Sequence, residues 1–196
     1  MEMQGNRHLA VTQQQAWEAL NDPQVLKACI PGCDRVEATG ENQYAIGMAV
    51  KVGPVAARFN GKIQLLDVLP PSSYTLNFEG QGGAAGFGKG SANVNLAPPA
   101  AGTGCELSYT AKAQVGGKIA QVGQRLVDGV AKSMAEDFFR RFDEEMQRRH
   151  PEAYAVEAAQ AAVPPGEAAP ARRLPLWAWI LFGVVVLIAL LLLAAS

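Results

Sequence analysis

Between residues 116 and 149 apolar side chains recur as Ile119, Val122, Leu126, Val130, Met134, Phe138, Phe142 and Met146, spaced by three and then by fours. That period predicts one amphipathic helix of about 50 Å, at roughly 1.5 Å per residue. Lys118, Arg125, Asp128 and Lys132 fall opposite the apolar stripe in its first half. Strict steps of four drift around a helix of about 3.6 residues per turn, so the helix is expected to bend or its halves to cover different surfaces. Gly123 lies within the stripe, where it weakens a helix by about 1 kcal/mol relative to alanine. The missing side chain leaves room either for a cavity or for a sheet backbone packed close.

Upstream the period switches to two. One face collects Tyr44, Ile46, Met48, Val50 and Val52, then Ala57, Phe59, Gly61, Ile63 and Leu65, then Tyr74, Leu76 and Phe78. Further strands follow at Ala92, Val94 and Leu96, and at Cys105, Leu107, Tyr109, Ala111, Ala113 and Val115. With strands at 3–11 and around 35–38, the pattern predicts about seven. Thr12 is placed to cap a helix over 13–21 carrying Ala16, Trp17 and Leu20, and Asp22-Pro23 starts a second with Val25, Leu26 and Ala28. Cys29-Ile30-Pro31-Gly32-Cys33 ends it. Short turns favour antiparallel pairing, and a sheet wet on one face must cover the other. The fold class is therefore α+β, a curved antiparallel sheet wrapped around a long helix.

A sheet gripping a helix can enclose a pocket. Its candidate lining is Met48, Val50, Phe59, Ile63, Tyr74, Phe78, Leu107 and Tyr109 from strands, with Val122, Leu126 and Val130 from the helix. Such a lining suits a hydrophobic ligand with a ring and an isoprenoid tail, whose carbonyl Tyr74 or Tyr109 would hydrogen-bond. The same alternation also describes a filled core, and parity alone does not separate the two.

Other features exclude more than they suggest. Gly83 to Lys89 satisfies G-x-x-x-x-G-K, but Gly90 replaces the required Ser or Thr and a strand follows instead of a helix, so no phosphate site is expected. The glycine run is expected to be a flexible hairpin loop, with Phe87 as a flap at the pocket mouth. His8 and His150 stand at opposite ends of the domain, Asp67 and Glu79 near strand ends, and no catalytic constellation or metal site forms from them. Cys29, Cys33 and Cys105 are read as reduced thiols. Of 17 Lys+Arg and 18 Asp+Glu, two and three respectively fall after residue 150, leaving a neutral domain with no basic cluster for nucleic acid.

Three segments emerge: a domain over 1–149, an Ala/Pro-rich linker over 150–173 expected to be disordered, and a transmembrane helix over 174–196. Residues 176–195 hold no charge, Trp177 and Trp179 mark one interface, and Arg172 and Arg173 precede them. The positive-inside tendency places the domain in the cytoplasm on a single-pass C-terminal anchor in the cell membrane. There is no signal peptide pattern.

The order of elements resembles the START-like helix-grip (SRPBCC) superfamily, and Cys29-Ile30-Pro31-Gly32-Cys33 after Asp22-Pro23 resembles the hallmark of the carbon monoxide dehydrogenase G-subunit family. The resemblance covers about residues 1–146. It implies a non-enzymatic partner of an aerobic molybdenum-containing carbon monoxide dehydrogenase, or of a related molybdenum hydroxylase. Such a protein recruits the enzyme to the cytoplasmic membrane, binds a respiratory quinone (menaquinone or ubiquinone), and serves electron transfer. The family motif supplies no catalytic residues. Two alternatives remain: a pure anchor with a solid interior, and a cyclase- or dehydratase-like enzyme with a titratable group in the pocket.

Overall fold

The first turn of the first helix shows how the sequence sets its local structure. Thr12 is an extended N-cap whose Oγ1 accepts from Gln15 N at 3.3 Å, while Gln15 Oε1 accepts from Thr12 N at 2.9 Å. This reciprocal cap satisfies two backbone donors that a helix start leaves without partners. It launches α1 (Gln13–Leu20), which follows β1 (Glu2–Leu9). Asp22 Oδ1 then accepts from Gln24 N at 2.8 Å, and Pro23 opens α2 (Pro23–Cys29). The computed structural model describes residues 1–100 and 102–161.

Six strands follow as a meander: β2 (Cys33–Gly40), β3 (Gln43–Val52), β4 (Val55–Leu69), β5 (Ser73–Gln81), β6 (Phe87–Ala97) and β7 (Cys105–Gly116). All pairings are antiparallel and the sheet order is β1-β7-β6-β5-β4-β3-β2, so the first strand joins the edge made by the last. Cross-strand rows carry one parity across the sheet. Tyr74, Val94, Tyr109 and Gly5 form one row, and Tyr44, Ile63, Phe78, Gly90 and Ala113 another. Asp67, at φ +49°, sits in a bulge of β4 and is exposed to solvent. Glu79 is exposed as well.

The helix expected over 116–149 is two helices. β7 runs through Gly116, α3 (Lys118–Gln121) makes one turn, and α4 (Gln124–Arg149) begins after a break. Gly123 is the N-cap of α4 at φ +99° and not an interior helical residue. Only glycine takes that backbone conformation without strain, so the break falls where the apolar stripe holds a glycine. The two parts do cover different surfaces. Val127 joins Val52 and Ile119 in a small cluster with Val50, Phe59, Val115, Val122 and Val130 packed against it. Phe142 and Met146 are fully buried in the main core with Leu9, Val11, Trp17, Val25, Leu96, Cys105 and Leu107.

The expected disordered linker also needs correction. Its first residues form α5 (Pro151–Ala161), tied to the domain through Tyr154 Oη, which donates to Asp143 Oδ1 at 2.5 Å, and through Glu157, 3.0 Å from His8 Nε2. Residues 162–173 and the expected membrane segment over 174–196, with Arg172, Arg173, Trp177 and Trp179, lie outside the described residues. No described helix is long and apolar enough to cross a membrane. The glycine run is likewise more regular than a flexible loop, with β5 ending at Gln81, a single 3-10 turn at Gly83–Ala85, and Phe87 already the first residue of β6. All three cysteines are free thiols.

Candidate functional site

Two tyrosines on neighbouring parts of the sheet define the site. Tyr74 is buried on β5, its ring edge-on to Trp17 of α1 with centroids 5.5 Å apart, and Tyr44 on β3 lies close enough to contribute to a raised pKa of Tyr74. Burial is the larger cause and pushes the Tyr74 phenol well above its ordinary range, so this group stays protonated and acts as a donor. A third tyrosine, Tyr109 on β7, stacks on Phe139 of α4 at 5.3 Å. Its ring lies over Gly5 of β1, where any Cβ would stand 2.8 Å from the hydroxyl oxygen. Among the described residues none of the three hydroxyls has a hydrogen-bond partner.

Between these rings and the helices is a cavity of about 240 Å³. The sheet contributes Val36, Tyr44, Ile46, Ile63, Leu65, Tyr74, Leu76, Ala92, Val94, Leu107 and Tyr109. Leu20, Leu26 and Ile30 close it from α1, α2 and the turn after α2, and Phe138 and Phe139 from α4. Apart from the three phenols, every lining side chain is apolar. A larger groove of about 1020 Å³ is open and bordered by Lys62, Glu79, Lys89 and Lys112, whose parity puts them on the outward face. Its polarity makes it a poor home for an apolar ligand, and the smaller cavity is the candidate site.

The Cys29-Ile30-Pro31-Gly32-Cys33 element earns its sequence from its position here. Gly32 takes φ +71°, accepts a hydrogen bond from Ala49 N at 2.9 Å, and lies so close to the Ala49 carbonyl that a Cβ would collide with it. The turn thereby pins α2 to β3 and brings Ile30 into the cavity wall. Burial pushes the Cys29 thiol up to about 11.

Of the residues expected to line the pocket, Ile63, Tyr74, Leu107 and Tyr109 meet in the cavity. Val50, Phe59, Val122 and Val130 pack instead on the small cluster of Val52, Ile119 and Val127. Met48 pairs with Phe59 in the same half of the β3–β4 hairpin and does not border the cavity, and Phe78 borders the open groove. Leu126, 42 % exposed, rests on Gly53 at the hairpin tip, and Phe87, 40 % exposed, lies over Gly116 on the outward face, so neither lines the pocket and Phe87 is not a flap over it. The parity rule selects the inner face correctly but not the distance along each strand, which hairpin register sets. Tyr44, Leu65, Leu76, Val94 and Phe138, which the sequence pattern places on apolar faces but not in the candidate lining, also line the cavity, as does Phe139, which the stripe omits. The Phe138-Phe139 pair carries a signal, because two adjacent large aromatics cover a wider arc than a stripe stepped by four. Among the described residues no group of His, Cys, Asp and Glu is arranged to hold a metal.

Comparison with known proteins shows the same architecture in solved structures. A conserved protein from Geobacillus kaustophilus is 34 % identical, with a TM-score of 0.70 over 76 % of this chain and 96 % of that one. A protein from Thermus thermophilus is 14 % identical with a TM-score of 0.58, over 76 % and 99 %. The Zhui aromatase/cyclase from Streptomyces sp. R1128 is 14 % identical with a TM-score of 0.54, over 76 % and 94 %. The two lower identities show a shared fold alone, the helix-grip arrangement of a curved seven-stranded sheet around a long helix. A search of curated proteins finds no match. The family profile that matches, over residues 5–147, is that of the carbon monoxide dehydrogenase G-subunit, and the chain belongs to this family, CoxG.

Proposed function

We propose that the protein is an accessory carrier for a carbon monoxide dehydrogenase or related molybdenum hydroxylase, holding the ring of a respiratory quinone in the cavity beneath α4. Family membership associates it with that enzyme. One observation carries the ligand: a partly open, almost wholly apolar cavity whose only polar side chains are three phenols without partners among the described residues. A neutral phenol is a suitable donor to a quinone carbonyl, and leaving it unpaired in an apolar site is unfavourable. About 150 Å³ accepts a benzene ring, so about 240 Å³ has room for a one- or two-ring head. It has none for a long isoprenoid tail, which would stay outside. The segment over 174–196 would tether the carrier to the cytoplasmic membrane, with the domain on the cytoplasmic side.

An enzymatic reading would need a titratable group against the substrate. The lining offers phenols, and burial drives Tyr74 away from the range of a general base. The carrier reading is tested by purifying the full chain from native membranes, extracting bound lipid and analysing it by mass spectrometry. Near-stoichiometric menaquinone or ubiquinone is expected, falling about ten-fold in Tyr44→Phe as one hydrogen bond is lost, and absent in Leu76→Trp, which fills the cavity. A protein free of quinone that still captures the molybdenum hydroxylase would make it an anchor alone.

A further inference from the structure

One end of the domain gathers four segments far apart in sequence. Leu126, near the start of α4, rests on Gly53 in the β3–β4 turn, and Gly86 beside the 3-10 turn touches Gly116 and Gly117 at the junction of β7 and α3. Of the four large hydrophobic side chains exposed among the described residues, Leu69, Val156, Leu126 and Phe87, the last two stand here. Single exposed hydrophobics are common on any protein surface and need no explanation by themselves. Positive charge is in excess around these two, three cations against the carboxylate of Asp128. Lys51, Lys118 and Arg125 are exposed and in no ion pair among the described residues, while the carboxylate of Asp128 accepts from Gln124 Nε2 at 2.6 Å. The other end of α4 differs, because Arg140 pairs with Asp137 and Glu144, and Arg148 and Arg149 with Glu145, so its charges neutralise one another.

We infer that this end of the domain docks on an anionic lipid bilayer surface, with Phe87 and Leu126 entering the headgroup layer and Lys51, Lys118 and Arg125 facing lipid phosphates. Apolar side chains ringed by cations are the composition that binds an anionic interface by burial and Coulomb attraction together. The segments that would meet the bilayer rest on the small Val52, Ile119 and Val127 cluster, apart from the main core, and α3 joins α4 through Gly123, around which no atom fills the space of a Cβ. The inference deepens the carrier reading by naming the surface across which an apolar ligand would pass.

The test uses residues 1–160, because a membrane-inserting tail would bind any bilayer by itself. This part contains both hydrophobic clusters and forms one compact unit. The Geobacillus protein, covered over 96 % of its length by 76 % of this chain, folds at that size. Co-sedimentation is measured with vesicles of phosphatidylglycerol and phosphatidylethanolamine, and with vesicles of phosphatidylcholine, at low and high salt. Binding is expected only with phosphatidylglycerol, weakening about five-fold for each cation removed in Lys51→Gln, Lys118→Gln and Arg125→Gln. Leu126→Ser and Phe87→Ser should weaken it further, and Lys27→Gln on α2 should leave it unchanged, with circular dichroism showing each variant folded. Absent binding, equal binding to phosphatidylcholine, or an equal loss in Lys27→Gln overturns the inference. A domain that carries quinone yet ignores vesicles refutes only the docking surface, and one that binds vesicles but is empty of quinone refutes only the carrier.

Discussion

Gly32 and Cys29 show how single residues hold α2 in place. Gly32 is at φ +71° with its would-be Cβ directed at the Ala49 carbonyl, so Gly32→Ala has to displace β3 or distort the turn. The expected cost is about 1–3 kcal/mol, read as a lower urea midpoint at unchanged slope, and an unchanged midpoint would refute the role given to this turn. Cys29, three residues earlier, is 1 % exposed, and its thiol is raised from 9.0 to about 11 chiefly by burial, with Glu145 adding to the rise. The folded state therefore holds this proton more tightly than the unfolded chain does. Its contribution is complete below about pH 9 and is lost as pH climbs toward about 11, a fall of about 2 kcal/mol. Urea titrations at about pH 8 and about pH 11, which bracket most of that loss, would measure it, and Cys29→Ala should flatten the difference. An equally steep fall in Cys29→Ala assigns the alkaline loss to other groups such as Tyr74.

At the scale of elements, α5 is the piece that composition conceals. Alanine, proline and glutamate read as the signature of a disordered linker, yet proline suits a first helical position and alanine has the highest helix propensity. Tyr154 supplies the anchor, reaching both Asp143 Oδ1 and its carbonyl, at 2.5 and 3.1 Å. Tyr154→Phe is expected to speed amide hydrogen exchange across Pro151–Ala161 about ten-fold while leaving α1 and α4 unchanged. Exchange that stays as slow as before would mean that apolar packing alone holds α5. The other elements are legible where a local rule decides them: the Thr12 cap, Asp22-Pro23 and the strand alternations, whereas the drifting stripe announces a bend in the long helix and not the α3–α4 break that the positive φ of Gly123 makes. Parity identifies the inner face but cannot say which inner residues surround space. That depends on pairings such as Met48 with Phe59, which carry both toward the hairpin tip and away from the cavity. Tyr44 is invisible in the sequence as a polar group of the site because its proximity to Tyr74 arises across two strand pairings and not along either strand.

For the whole molecule, the division into two apolar clusters separates two tasks. The larger cluster surrounds the cavity, which α1, α2 and the second half of α4 border where the packing is deepest. The smaller one sits beneath the end where Phe87 and Leu126 are exposed, and it has few buried residues to resist local opening. Opening of α3 and the first turns of α4 would thus leave Tyr74 and its neighbours undisturbed.

The sheet also has a temporal consequence. β1 leaves the ribosome before the other described strands, but its one partner strand among the described residues, β7, does not end until Gly116. At about 5–20 residues per second, the first strand waits roughly 5–20 s with its backbone donors and acceptors unpaired while the β2–β7 meander is being synthesised. The nascent chain therefore completes this sheet by joining β1 to the strand made last, and the apolar cavity, walled in part by Tyr109 on that strand, comes into being only at that closing step.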